Sequence, residues 1–377
     1  MPPLRALVVM PLATQLGGSE VMLLQLIEHR QDAALEPTIV FLESGPMVQW
    51  CRDRGIHAVT LDAGRLRQTW MVGRTVRSLV TMARGTQAEV VIGWMAKGQV
   101  YAGLAATTAR LPSVWLQPST PGGLAPIDRA ATLLPAKLVV TLSGDSDLAQ
   151  RRIVPERSTT IVHPGVDTAR FNAQRIGDQR AVRRRLGLPE RGPIFGSVGR
   201  LNSWKGFHFL LDAAPQVFER HPGATLVIVG GRHDLEAGYA DELHAQAARL
   251  GGRGRILLVG QQPNPEEWMQ AMDVFVHTSR GEPFGIVVIE AMALGKPVIA
   301  AAEGGPMEVI TPGVDGLLSP YGDAPALGAA ILRVLDDAEL RDVLGRAAAR
   351  RAADFTVQQF SRRFGAAIAD AVARGGS

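Results

Sequence analysis

Short β-branched apolar runs recur along the chain, each followed by a stretch long enough for a helix. The first series is "LVVM" (7–10), "TIVFL" (38–42), "AVTL" (58–61), "VVIG" (90–93), "SVWLQ" (113–117), "LVVTL" (138–142) and "TTIV" (159–162). Strands that read as nearly unbroken apolar runs, spaced for intervening helices, predict a parallel sheet covered on both faces. A second series follows: "PIFGSVGR" (193–200), "TLVIVGG" (225–231), "RILLVG" (255–260), "DVFVHT" (273–278) and "PVIAA" (297–301). The pattern therefore predicts an α/β protein with two doubly wound domains. Between the series lies the turn-rich "HPGVDTARF" (163–171), then a basic helical stretch "DQRAVRRRLGLP" that ends at Gly187 and Pro189, the expected hinge. The segment "FTVQQFSRRFGAAIADAVARGG" spaces Phe360, Phe364, Ile368 and Val372 at helical intervals, which predicts a terminal amphipathic helix. The expected divisions are 1–166, 167–355 and a final helical segment 356–377.

The length of 377 residues suits two domains, and 46% hydrophobic with 20% charged residues is a globular composition. No apolar run approaches the roughly 18–20 residues of a membrane span. The apolar run in "MPPLRALVVMPLATQ" is too short for a signal peptide and leads into a strand and turn, so a cytoplasmic protein is expected. The one cysteine, Cys51, has no partner for an internal disulfide and no metal-ligand spacing around it. A formal charge of +4 with 5% aromatic residues disfavours a base-stacking nucleic-acid surface and suits small anions or an acidic membrane surface.

Ligands of open parallel sheets bind beyond the carboxyl ends of the strands, where helix N-termini offer free N–H groups to anions. Three stretches meet that description. In "PLATQLGGSEVMLLQLI", Gly17 and Gly18 open a helix after the first strand; the pair lets backbone approach a ligand but equally makes a tight turn. It is neither GxGxxG nor a Walker loop. In "SVGRLNSWKGFHFLLDA" (197–213), Arg200 leaves a strand end and Lys205 stands at the expected start of a helix, two cations suited to a diphosphate. In "EPFGIVVIEAMALGKPVIA" (282–300), a Pro/Gly loop bearing Glu282 precedes a helix opened by Gly285 and Ile286. That helix is apolar on every side apart from Glu290, so it is expected to be buried. An unpaired buried carboxylate costs several kcal/mol, so Glu290 needs partners, either ligand hydroxyls or a neighbouring Arg.

Taken together in this order, "GGSE", "HPGVD", the "GR…K" pair, the E-x7-E pair in "EPFGIVVIE", "GGPMEVI" (304–310) and "DGLL" (315–318) resemble the retaining GT-B glycosyltransferases of family 4 (glycosyl transferases group 1) over nearly the whole chain. The resemblance implies two Rossmann-like domains facing a central cleft, the first on the acceptor side and the second holding the donor. The terminal helix would cross back to the first domain. It also implies that Arg200 and Lys205 hold the diphosphate of a sugar nucleotide, UDP- or GDP-linked, that Glu290 takes the ribose hydroxyls, and that Glu282 faces the transferred sugar. Backbone of Phe284, Gly285 and Ile286 would contact sugar or phosphate, Gly230 and Gln261 the nucleobase, and Gly17 and Gly18 the phosphates or acceptor. In the scheme implied, the acceptor hydroxyl attacks from the face that the leaving group vacates, a phosphate oxygen takes its proton, and neither a metal nor a cofactor is required.

"SGDSD" (143–147) carries the Asp145-x-Asp147 spacing of a metal site, but it opens a helix and Asp147 reads better as its cap. The chain departs from the resemblance in "SVWLQPSTPGG", where many such enzymes carry a histidine near the sugar. Here Gln117 is followed by Pro118, and Gln117 can offer only neutral hydrogen bonds. None of the eight histidines fits that place, so each reads as structural or surface. Lys97, after the strand "VVIG", is a further possible sugar or acceptor contact. The stretch 64–85, read as a helix, gathers Arg67, Arg74, Arg77 and Arg84 on one side with Trp70. It suits either a solvated face or peripheral contact with an anionic membrane on its inner face. Two alternatives to transfer stay open: a sugar-nucleotide-binding protein without turnover, and a sugar-nucleotide epimerase of the same architecture.

Overall fold

The computed structural model describes residues 2–14, 17–64, 67–121, 126–233, 236–250, 252 and 254–374. The chain divides into two compact units, residues 1–165 together with 357–377, and residues 166–356.

The sheet of the first unit contains β1 (Leu4–Met10), β2 (Leu35–Phe41), β3 (Ala58–Thr60), β4 (Val90–Trp94), β5 (Ser113–Gln117), β6 (Leu138–Thr141) and β7 (Thr159–Ile161), in the order β3-β2-β1-β4-β5-β6-β7. Every pair in it is parallel. Leu7, Val9 and Val91 meet Leu79, Ala83, Tyr101 and Ala105 from the helices Thr69–Gly85 and Met95–Ala109 in one core cluster. The helix Val357–Ala373 belongs to this unit; it buries Phe360, Phe364 and Ile368, and Phe364 meets Trp94 edge to face at 5.8 Å.

The second unit contains β8 (Ile194–Val198), β9 (Thr225–Val229), β10 (Arg255–Leu258), β11 (Val274–His277), β12 (Val298–Ala301) and β13 (Leu317–Ser319), ordered β10-β9-β8-β11-β12-β13 and again parallel throughout. Phe195, Leu226 and Val274 pack with Leu210, Leu211 and Phe218 of the helix Phe207–Arg220 and with Ile331 of the helix Ala324–Asp336. Strand order reverses between β1 and β4 in the first sheet and between β8 and β11 in the second, and such switch points open crevices at the strand C-termini.

All twelve predicted runs form strands. β13 was not foreseen: three residues that begin in "DGLL" and end at Ser319 are too short a run to separate from a turn. The helix expected over 64–85 starts at Thr69, and residues 65 and 66 lie outside the described set. Lys205 is not at a helix start: it closes a 3-10 turn, Ser203–Lys205, and Gly206 in the left-handed region separates it from the helix Phe207–Arg220. Asp147 is not a cap either. Ser143 caps the helix Gly144–Ile153 through the Ser146 N–H, and Asp147 pairs with Arg151 at 2.7 Å. Among the described residues, no helix is long and apolar enough to cross a membrane.

Candidate nucleotide-sugar site

The site of the second unit grows from the loops after β8 and β11, on either side of its switch point. Gly206 has φ +68°, and a Cβ there would run into the carbonyl of Thr278, so only glycine lets the two loops touch. Thr278 Oγ1 donates to the Lys205 carbonyl at 2.8 Å, and the Arg280 N–H to the Trp204 carbonyl at 2.8 Å. With its backbone tied to the neighbouring loop, Lys205 extends Nζ to Glu282 Oε2 at 2.6 Å and passes 4.0 Å from the centre of the Trp204 ring.

Glu282 has two partners on the same oxygen, Lys205 and His277, whose Nε2 lies 3.3 Å away. Burial alone would raise the carboxyl pKa, but the Lys205 ammonium and the His277 hydrogen bond outweigh it and hold the group well below the usual carboxylate range. Glu282 is therefore an anion at neutral pH. Its loop is set from beneath by Gly304 and Gly305. The Gly305 N–H donates to the Glu282 carbonyl at 2.8 Å, and a Cβ on Gly305 would overlap the Phe284 backbone. This explains why "GG" precedes "PMEVI": the two loops touch backbone to backbone.

Phe284 is buried, and Gly285, at φ +92°, caps the helix Ile286–Ala293. That helix is not buried on every side as expected. Val288, Ile289, Ala291 and Met292 face the core, while Ile286, Val287 and Glu290 share a half-open face. The apolar face toward solvent misled the pattern, because a ligand-facing surface can be as apolar as a core. Enough of the Glu290 carboxyl is enclosed that burial pushes its pKa up to about 7, with Arg170 opposing and Glu266 adding to the rise. Arg170 is itself paired with Glu266 at 2.8 Å.

Arg200 stands half-exposed after β8, and among the described residues no carboxylate pairs with it. Gly230 has a packing reason: a Cβ there would collide with the Gly199 carbonyl, while its N–H donates to the Gly260 carbonyl at 2.9 Å. Gln261 is exposed, and its side chain covers Gly231, 3.1 Å from where a Cβ would lie. The loops after β8, β9, β10 and β11 thus gather Arg200, Lys205, Gly230, Gln261 and Glu282 at the carboxyl edge of one sheet.

The remaining predicted residues lie in the first unit. Gly17 caps the helix Gly18–Glu28, and Trp94 Nε1 donates to the carbonyl (3.0 Å) and hydroxyl (3.1 Å) of Ser19 across the β1/β4 switch point. Lys97 is half-exposed in the first turn of the helix Met95–Ala109. Gln117 ends β5 with 2% of its surface exposed, and Oε1 finds no donor among the described residues. His277 was missed: it reads as structural in sequence, yet it contacts Glu282. The available signal was a polar residue closing an apolar strand five positions before that carboxylate.

The family comparison falls on the second unit. Residues 178–351 match the family model described as "Glycosyl transferases group 1". The matched stretch lies within the second unit, residues 166–356. A D-inositol 3-phosphate glycosyltransferase of Salinispora tropica is 34% identical over 61% of this chain and 50% of its own length. A lipopolysaccharide core biosynthesis glycosyltransferase, LpsE of Rhizobium meliloti, is 35% identical over 50% of this chain and 51% of its own. The chain spans about half the length of these curated relatives. Among solved structures, HepE of Anabaena in complex with UDP and glucose superposes with a TM-score of 0.83 at 25% identity, covering 97% of this chain and all of that one. WaaG, a glycosyltransferase involved in lipopolysaccharide biosynthesis, gives 0.74 at 16% identity over 96% of this chain and 98% of its own. The fold is GT-B, with two Rossmann-like units.

Proposed function

We propose that the protein is a glycosyltransferase of the EC 2.4 class that moves a sugar from a nucleoside-diphosphate sugar to a hydroxyl acceptor, with retention at the anomeric carbon and without a metal. The observation that carries this reading is the convergence of Arg200, Lys205 and the Lys205-bound Glu282 at the β8/β11 switch point. Arg200, with no carboxylate partner among the described residues, can fork onto a diphosphate, and Lys205 supplies a second cation, so the charge developing on the leaving group meets fixed positive groups. Glu282 is ionised and its Oε1 receives no donor among the described residues, so it can accept from sugar hydroxyls. Glu290, half protonated near pH 7, can meet the ribose diol, with Phe284, Gly285 and Ile286 presenting backbone beside it.

In the step proposed, the bond between the anomeric carbon and the diphosphate oxygen breaks while the acceptor oxygen bonds to the same face. The acceptor proton passes to the departing phosphate oxygen. In this reading Gln117 and Lys97 contact the sugar or the acceptor, and Gly17 and Gly18 the phosphates or the acceptor. A UDP-sugar is the preferred donor, because HepE of Anabaena was solved with UDP, with UDP-glucose and with UDP plus glucose. A phosphorylated polyol or a lipopolysaccharide-type glycan is the acceptor class that the relatives' names suggest.

A thermal-shift and calorimetric screen against UDP, GDP, ADP and dTDP and their sugar conjugates tests the donor. A ligand that binds only the native state raises apparent stability by mass action. The expected result is stabilisation by the UDP series, lost in Arg200→Ala and in Glu290→Ala. Wild-type affinity in both folded variants would overturn the site, and binding without turnover on any acceptor would overturn transfer.

A further inference from the structure

His277 closes β11 with 2% of its surface exposed. Its Nε2 lies 3.3 Å from Glu282 Oε2 and 3.0 Å from Ser279 Oγ. Glu282 is an anion held by Lys205 on that same oxygen, and an ionised carboxylate only accepts, so the proton of this contact sits on Nε2. Burial lowers the imidazole pKa, opposed by the hydrogen bond and charge of Glu282 and aided by the Lys205 charge, which disfavours a second proton on the ring. Nδ1 is then a bare acceptor, fully enclosed, with no donor among the described residues. The Ser319 hydroxyl, at the end of β13, is buried and likewise unpartnered. Both residues line one small pocket, together with Phe209, Tyr321 and Leu327, with about 10 Å³ of space for the centre of a water molecule. That is room for a single water, and buried waters reside where otherwise unsatisfied polar groups converge.

We propose that His277 is a positioning residue for Glu282. It is held as the Nε2–H tautomer by one internal water that donates to Nδ1 and accepts from Ser319, and it fixes the carboxylate jointly with Lys205. The proposal rests on the reading of Glu282 as the sugar-facing carboxylate. Two donors on Oε2, one from the loop after β8 and one from the end of β11, lock the rotation of the carboxylate, and locking is what a group that must meet a sugar in one orientation requires.

The test has one arm that needs no turnover. In long-range proton–nitrogen spectra of histidine-labelled protein, His277 should show a protonated Nε2 and an unprotonated Nδ1. Glu282→Gln should move the Nε2 signal, and Ser319→Val, which fills the cavity, should move the Nδ1 signal. The kinetic arm compares His277→Gln, which keeps an N–H donor near the Nε2 position, with His277→Leu, which removes it. His277→Leu should lower kcat about tenfold or more with donor Kd unchanged, and His277→Gln should recover most of that loss. An Nδ1–H tautomer, an imidazolium, an Nε2 signal indifferent to Glu282→Gln, or wild-type kcat in His277→Leu would each overturn the proposal. If His277→Leu loses its cooperative melt, the spectra of wild type and of His277→Gln decide. If no donor and acceptor pair turns over, the transfer reading fails while the spectra still report whether His277 holds Glu282.

Discussion

Lys205 Nζ lies 2.6 Å from Glu282 Oε2, so one ion pair joins the loop after β8 to the loop after β11 at the reversal of strand order. Only 15% and 12% of the two side chains is exposed, which makes the pair sensitive to one-sided removal. Lys205→Met leaves an enclosed carboxylate without its counter-charge and should cost about 3 kcal/mol of stability in urea unfolding. Adding Glu282→Gln should recover most of that loss. The double variant should remain low in kcat by about 100-fold, because the cation and the anion are both absent from the reacting centre.

If Glu290 meets the ribose as proposed, donor binding should be proton-linked. Its carboxyl pKa is about 7 in the folded chain against the ordinary 4.5. Between those values the native state holds a proton that the unfolded chain has released. This group's contribution to stability is thus fully present below pH 4.5 and is lost as pH rises through 7. Ribose hydroxyls donating to the carboxylate favour its ionised form, so nucleotide binding at pH 7 should release a fraction of a proton. Calorimetry in buffers of different ionisation enthalpy should show this release in wild type and none in Glu290→Gln.

Gly305 tests the steric floor of the site without touching a charge. The Cβ of Gly305→Ala would overlap the Phe284 backbone and come within 2.7 Å of the Pro283 carbonyl oxygen. Overpacking of this kind costs about 1–3 kcal/mol, here by pushing the Glu282 loop off Gly305. The expected outcome is a lowered Tm with a loss of kcat larger than that of Gly313→Ala, a glycine with open space around it at φ +78°.

The helix Thr69–Gly85 contains no acidic residue and exposes Trp70, Arg74, Arg77 and Arg84. We propose that this face, with exposed Arg67 ahead of it, rests on anionic lipid. Co-sedimentation with phosphatidylglycerol vesicles should exceed that with phosphatidylcholine, should weaken with salt, and should fall several-fold in Arg74→Glu/Arg77→Glu. Equal binding to both lipids would leave the helix as a solvated arginine face.

Much of the fold could be read directly from the chain. "SVWLQ" is β5 residue for residue, because a strand buried on both faces carries a central apolar run, here Val114 to Leu116. "GGPMEVI" could be recognised as part of a motif, whereas the reason for its glycines could not. Their necessity comes from the backbone of Glu282 and Phe284 lying against them, a contact between segments about twenty residues apart. The same holds for His277. A histidine at a strand end is ordinary in sequence, and only the loop returning five residues later sets Glu282 against its ring.

The amino-acid order by itself determined two parallel α/β sheets and singled out Arg200, Lys205, Glu282 and Glu290 as candidates, because periodicity and local turn chemistry act over a few residues. Tertiary structure decided which of those groups meet. It set both Lys205 and His277 on Glu282, left Arg200 without a carboxylate partner among the described residues, half-opened the face of Glu290 and enclosed Gln117. Such pairings depend on burial and on distances set by strand order across a sheet, and neither is carried by neighbours in the chain.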